Sequence, residues 1–168
     1  IYFSGTGNTK YCVEKFLEAY EAGARAFSIE EDCALRNIEA HEEIVLGYPV
    51  QYSTVPKILR DYITAHQSAW KGKKVFVIAT MGLFSGDGAG VLARLLQKNG
   101  AVITGGLHVR MPDSKCDEKV LKKTISKNRF LVKKAELKIR KAAGRLKNGR
   151  PPRDGLGFGS RLAGFFGQ

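Results

Sequence analysis

Short β-prone runs alternate with stretches of helical spacing along residues 1–114. Candidate strands are residues 1–3, 25–29, 43–47, 74–79 and 102–109. Between them, Val13, Phe16, Leu17 and Tyr20 mark one helix face, Ile58, Leu59, Tyr62 and Ile63 a second, and Val91, Leu92, Leu95 and Leu96 a third. Each set has i, i+3, i+4 character. Strands separated by single helices predict a parallel sheet with crossover helices, an α/β architecture. Residues 30–42 are acidic and only weakly periodic, so the second crossover is expected to be short or irregular, and Asn99-Gly100 reads as the stop of the third helix.

Beyond residue 114 the pattern changes. Leu121, Ile125, Val132, Ala135, Ile139, Ala142 and Leu146 fall on one helical stripe, with lysines and arginines on the other side. Asp117 and Glu118 near the start and Arg145 and Lys147 near the end suit the helix dipole. About thirty residues would make a rod of roughly 45 Å, long enough to overhang a small domain. Asn148-Gly149-Arg150-Pro151-Pro152 reads as a stop and a linker, so the domain is expected to span 1–147, with 148–168 a linker or apolar tail that packs back or leads onward.

Charge sharpens this division. The net charge of the 168-residue chain is +12, yet residues 1–114 carry 12 basic and 12 acidic residues. Residues 115–153 carry 15 basic and three acidic residues, so the whole excess lies on this C-terminal segment. A solvated helix face and a docking surface for an acidic partner, nucleic acid or anionic lipid all fit that distribution. The stretch holds a single aromatic residue, Phe130, which argues against a single-strand stacking platform.

The chain is long enough for one domain that folds without a disulfide or metal staple. No apolar run of membrane-spanning length and no secretory leader pattern occurs, and Cys12, Cys33 and Cys116 match no zinc or cluster spacing. A soluble cytosolic protein with reduced thiols is expected. The first residues, Ile1-Tyr2-Phe3, read as the middle of a strand, which leads one to expect a few residues upstream.

The strongest chemical signal is Ser4-Gly5-Thr6-Gly7-Asn8-Thr9, directly after a strand and directly before a helix. Glycines expose backbone N–H groups, three hydroxyls add donors, and the helix N-terminus adds a positive dipole end, so the loop is an anion cradle the size of one phosphate. It lacks the third glycine of the dinucleotide fingerprint and the lysine of the P-loop. Ligands in open α/β sheets sit at the carboxyl ends of the strands, which brings this loop together with the exits of the third and fourth strands. Those exits, Tyr48-Pro49-Val50-Gln51-Tyr52-Ser53-Thr54-Val55-Pro56 and Thr80-Met81-Gly82-Leu83-Phe84-Ser85-Gly86-Asp87-Gly88-Ala89, mix an aromatic residue with small and hydroxyl residues. That composition suits a flat heteroaromatic ring with polar edges.

On these motifs the chain resembles a flavodoxin over about residues 1–147. The Ser4 to Thr9 loop matches the family's phosphate loop residue for residue, while the two later loops match more in position than in wording. Gly47-Tyr48-Pro49-Val50, Phe84-Ser85-Gly86-Asp87-Gly88-Ala89 and the basic helix are similar to the flavodoxin half of flavodoxin–ferredoxin fusion proteins of anaerobes, although no ferredoxin cysteine run is present.

The resemblance implies a doubly wound five-stranded parallel sheet, strand order 2-1-3-4-5, with a long basic C-terminal helix. It further implies FMN as cofactor, its phosphate on Ser4, Gly5, Thr6, Gly7, Asn8 and Thr9. The ring would lie between Pro49, Val50, Gln51, Tyr52, Ser53 and Thr54 on one side and Met81, Gly82, Leu83, Phe84, Gly86, Asp87 and Gly88 on the other. Tyr52 and Phe84 are candidates for ring stacking or for packing on their own domain. Thr80 is a candidate for the ribityl chain, as is Asp87, which equally suits a helix cap.

FMN performs its own redox chemistry, so no catalytic residue and no metal ligand are expected. His41, His66 and His108 fall on separate elements with no nucleophile–base constellation. Cys12 falls on the helix body and reads as packed. The implied function is electron transfer between redox proteins, with an acidic redox protein or a ferredoxin domain as partner, because the family is acidic and this chain basic. Two other readings stay open: an FMN-dependent reductase or oxidase of a small acceptor such as a quinone, and a non-redox module binding a phosphoryl ligand or nucleic acid.

Overall fold

The computed structural model describes residues 1–82, 88–112 and 124–157. β1 (Glu43–Pro49), β2 (Lys74–Met81) and β3 (Val102–Arg110) form a parallel sheet in the order β1-β2-β3. Glu43 lies opposite Lys74 and Pro49 opposite Thr80; Lys74 lies opposite Val102 and Met81 opposite Arg110.

The sequence predicts five strands, and among the described residues three form a ladder. The two N-terminal segments enter as single bridges, Tyr2 pairing in parallel with Ser28 on one side and with Gly47 on the other. Tyr2 N donates to Phe27 O and Phe3 N to Gly47 O, both at 2.9 Å. The paired stretch ends there because the chain turns into the loop at Ser4.

The described residues hold five α-helices: α1 (Asn8–Tyr20) and α2 (Ala34–Ala40) before β1, α3 (Lys57–Ala65) and α4 (Gly88–Lys98) between the strands, and α5 (Ile125–Lys147) after β3. The seven-residue α2 is the short crossover that the weak periodicity of 30–42 predicts.

Period-2 alternation on the strands divides the core into two layers. On β2, Val75, Val77, Ala79 and Met81 face one side, where Ile38, Leu59, Ile63, Leu92 and Leu96 of α2, α3 and α4 cover them together with Trp70. Phe76 and Ile78 face the other, under Val13 and Phe16 of α1 and Ala135, Ile139 and Ala142 of α5. Phe16 stacks on Phe76 with ring centroids 4.9 Å apart. A central strand buried on both faces reads as a continuous apolar run, as β2 does.

α5 is 23 residues, about 35 Å, rather than the thirty residues expected. Thr124 caps it, its hydroxyl accepting from Lys127 N. Of the expected stripe, Leu121, with Asp117 and Glu118, lies outside the described residues, and Ile125 is 73% exposed. Packing begins at Val132, because only from there does α5 lie against α1 and β3.

After α5 the chain returns along the open edge of β3. Arg153 bridges Gly106 in parallel, with Gly106 N donating to Pro152 O and Asp154 N to Gly106 O, each at 2.9 Å. The Asp154 carboxylate accepts from His108 N at 3.2 Å and from Lys138 Nζ at 2.7 Å. Burial pushes the Asp154 carboxyl up, but the Lys138 and His108 hydrogen bonds outweigh it and hold the group below its ordinary 3.8. Burial, helped by Lys138 and opposed by Asp154, holds the His108 imidazole below its ordinary 6.5.

A Cβ on Gly47 would stand 2.3 Å from Val13 Cγ2 and 3.1 Å from Thr9 Cγ2, so Gly47→Ala forces α1 off the sheet. Its expected cost is about 1–3 kcal/mol by chemical denaturation. The strap at Asp154 is favoured when His108 is neutral and Asp154 ionised. Both conditions hold above pH 6.5; stability is lost first as pH falls below 6.5 through the lowered His108 value, then again as it falls below 3.8 through the lowered Asp154 value. Melting temperature against pH should show both declines, and Asp154→Asn should remove the lower one.

Candidate functional site

The loop before α1 is shaped by its own residues. Gly7 adopts φ 89°, left-handed geometry that favours glycine, and its N–H donates to Ser4 Oγ at 3.1 Å. α1 starts without a side-chain cap and without an acidic residue in its first turn. Its leading N–H groups, those without an intrahelical acceptor, therefore face the loop. A Cβ placed on Gly5 or Gly7 meets nothing within 4 Å, so the loop's outer side is open. Open space, hydroxyls, uncapped N–H groups and a positive helix end suit one anionic group of phosphate size.

Two contacts hold this cradle at the carboxyl end of the sheet. Asn8 Nδ2 donates to Pro112 O at 2.8 Å, clamping the loop to the chain that leaves β3. Thr9 Oγ1 and Thr80 Oγ1 lie 2.8 Å apart, and Thr80 Oγ1 also donates to Tyr48 O at 3.4 Å. Thr9 and Thr80 are only 1% and 3% exposed, so these hydroxyls form a buried post linking α1, β2 and β1 beneath the loop. Sequence reasoning assigned Thr9 to the phosphate and Thr80 to the ribityl chain; their contact with each other has no signature in either segment alone. The Asn8 clamp was missed for the same reason.

The exit of β1 lies beside this loop. Val50 N donates to Thr80 O at 2.8 Å, and Gln51 and Thr54 exchange backbone hydrogen bonds of 3.1 and 2.9 Å. Tyr52 and Ser53 at the tip of this turn have φ 47° and 59°. Two adjacent left-handed residues other than glycine are costly, and with the Gln51–Thr54 pairing they form a tight two-residue turn. They present Tyr52 to solvent at 84% exposure. Pro49 closes β1.

At the exit of β2, Met81 is buried, its carbonyl accepting from Met111 N at 2.9 Å, and Gly82 follows it. Leu83, Phe84, Gly86 and Asp87 lie outside the described residues, and Gly88 opens α4. The loops after residue 3, β1 and β2 therefore leave from one edge of the sheet.

A cavity of about 640 Å³ opens at the opposite, amino end, lined by Tyr20, Arg25, His41, Glu43, Lys74 and Leu146 among others. It shares no residue with the converging loops. Cys12 is buried in α1, and burial pushes its thiol up to about 12, which leaves it unreactive. Among the described residues no group of His, Cys, Asp and Glu could hold a metal ion, and no helix is long and apolar enough to cross a membrane.

Fold and loop together define a parallel α/β domain with an open, glycine-containing loop before an uncapped helix at the carboxyl edge of its sheet. Residues 1–117 match the family model described as flavodoxin domain, and the chain belongs to that family. Among solved structures it is similar to two-electron reduced Megasphaera elsdenii flavodoxin, with a TM-score of 0.61 and 24% identity over 86% of this chain and 96% of that one. A Fusobacterium nucleatum flavodoxin bound to flavin mononucleotide matches with a TM-score of 0.57 and 14% identity, over 88% of this chain and 94% of that one. Rubredoxin oxygen:oxidoreductase of Desulfovibrio gigas matches with a TM-score of 0.56 and 15% identity, over 88% of this chain and 35% of that one. No curated protein sequence matches the chain.

Thr80→Val is expected to leave the buried Thr9 hydroxyl without its partner and to cost about 1–3 kcal/mol. Thr80→Ser should restore most of that loss, as read by denaturant midpoints of the three proteins.

Proposed function

We propose that this chain is an FMN-dependent electron carrier acting between redox proteins. The observation that carries the reading is the uncapped N-terminus of α1 behind the open Ser4 to Gly7 loop, at the edge where the other loops leave the sheet. Ser4, Thr6 and the N–H groups at the start of α1 would hold the flavin phosphate, with Thr9 anchoring the loop from below. The turn carrying Gln51, Tyr52 and Ser53 would flank the ring on one side and the segment from Met81 to Gly88 on the other. Bound FMN supplies one- and two-electron exchange. The protein's part is to orient the flavin and shield it.

The single bridges of Tyr2 to Ser28 and Gly47 support a five-stranded sheet of order 2-1-3-4-5. The similarity to fusion proteins of anaerobes and the cations of α5 support an acidic redox protein or ferredoxin domain as partner. Free thiols at Cys12 and Cys33 support a cytoplasmic setting.

A second reading rests on the D. gigas oxidoreductase, in which this fold covers about a third of the chain. There the fold is part of an oxidoreductase. Reduction of a quinone by the isolated protein with no protein partner would favour it.

Absorption spectra of the protein mixed with FMN and then desalted test the proposal. A retained flavin spectrum is expected, with Ser4→Ala weakening FMN about tenfold or more through loss of the loop's internal acceptor and one hydroxyl. A protein that keeps no flavin would overturn both redox readings and leave the phosphoryl-ligand or nucleic-acid module.

A further inference from the structure

α5 carries nine basic residues and one acidic residue, Glu136. Several of these groups serve the domain itself. Lys138 Nζ bonds His108 O and Asp154, Arg145 Nε bonds Arg150 O, Lys147 sits over the Tyr20 ring, and Glu136 accepts from the Tyr11 hydroxyl. The remaining cations, Lys127, Arg129, Lys133, Lys134, Arg140 and Lys141, are exposed and have no acidic partner among the described residues.

Among these cations stand exposed apolar side chains. Phe130 and Leu137 are 70% and 71% exposed. They lie seven residues apart, hence on nearly the same bearing of the helix, directly opposite the buried Ala135, Ile139 and Ala142. Lys133, Lys134 and Lys141 surround them. A solvated face has no use for a phenylalanine and a leucine at its crest; an interface has, because apolar anchors inside a charged rim carry affinity while the rim steers approach.

The placement of this face is fixed by two contacts to α1. Tyr11 meets Glu136 and Tyr20 meets Lys147, so the two helices run side by side in the same direction. Asn8 is then level with about Lys133, and the residues from Ile125 to Val132 reach about 10 Å past the start of α1. Along the helix axes the apolar crest thus begins at about the level of the Ser4 to Gly7 loop.

We propose that the outward face of α5 from Lys127 to Lys141, centred on Phe130 and Leu137, is the docking surface for an acidic protein. That the docked protein exchanges electrons with this one rests on the flavin reading above. An acidic protein is preferred over nucleic acid because one aromatic residue gives no stacking series, and over a bilayer because two apolar side chains amid charges give too narrow a face to insert.

The test uses the FMN-treated full chain and a strongly acidic ferredoxin, fluorescently labelled, as probe. Affinity and association rate are read by anisotropy and stopped flow, with flavin content measured separately. Lys133→Glu combined with Lys134→Glu is expected to slow association about tenfold or more and to flatten its salt dependence. Phe130→Ala, at an exposed position where folding is unaffected, is expected to speed dissociation about fivefold or more. Wild-type binding by both variants overturns the proposal, as does tighter binding of the wild type to phosphatidylserine vesicles or duplex DNA than to the ferredoxin. If no flavin is retained while ferredoxin binding still follows the α5 variants, the surface stands and the flavin reading falls.

Discussion

The site depends on how closely α1 is seated on the sheet. Val13 and Thr9 press against the Cα of Gly47 so tightly that a methyl group there has no room. The same helix turn sets the Thr9 hydroxyl against that of Thr80. Together these contacts fix the first turn of α1 at the carboxyl edge of β1 and β2. Without them the uncapped N–H groups would still carry a partial positive charge, but not at a defined place beside the neighbouring loops. The donor set is therefore positioned by buried packing and one buried polar contact, while the loop residues themselves need only stay open.

Much of this was legible in the sequence because it is local. The glycine-containing turn before α1 and the apolar faces of α1, α3 and α4 are each determined within a few residues, the turn by residue type and the faces by periodicity. What escaped was long-range. The Thr9–Thr80 post spans 71 residues, the Asn8–Pro112 clamp 104 and the Tyr11–Glu136 bond 125. No spacing rule announces such a pair, since each partner alone reads as an ordinary turn or helix residue. The left-handed pair Tyr52-Ser53 escaped too, because neither residue is one that signals positive φ.

The C-terminal helix shows the same contrast. Its amphipathic pattern from Val132 onward follows from contact with α1 and β3, and its charge excess is plain arithmetic. That Lys138 is held by Asp154 and His108, whereas Lys133 and Lys134 are not, depends on the strap that returns along β3. Tertiary structure thus divides one run of cations into structural groups and outward-facing ones.

On the flavin reading, the start of α1 holds the terminal phosphate of FMN. This is tested most directly by comparing the affinities of FMN and riboflavin, which differ in that phosphate alone, by calorimetry or flavin fluorescence. FMN is expected to bind about a hundredfold or more tightly than riboflavin, a difference of about 2.7 kcal/mol or more. Equal affinities for the two would contradict that reading, because the loop would then contribute nothing to binding.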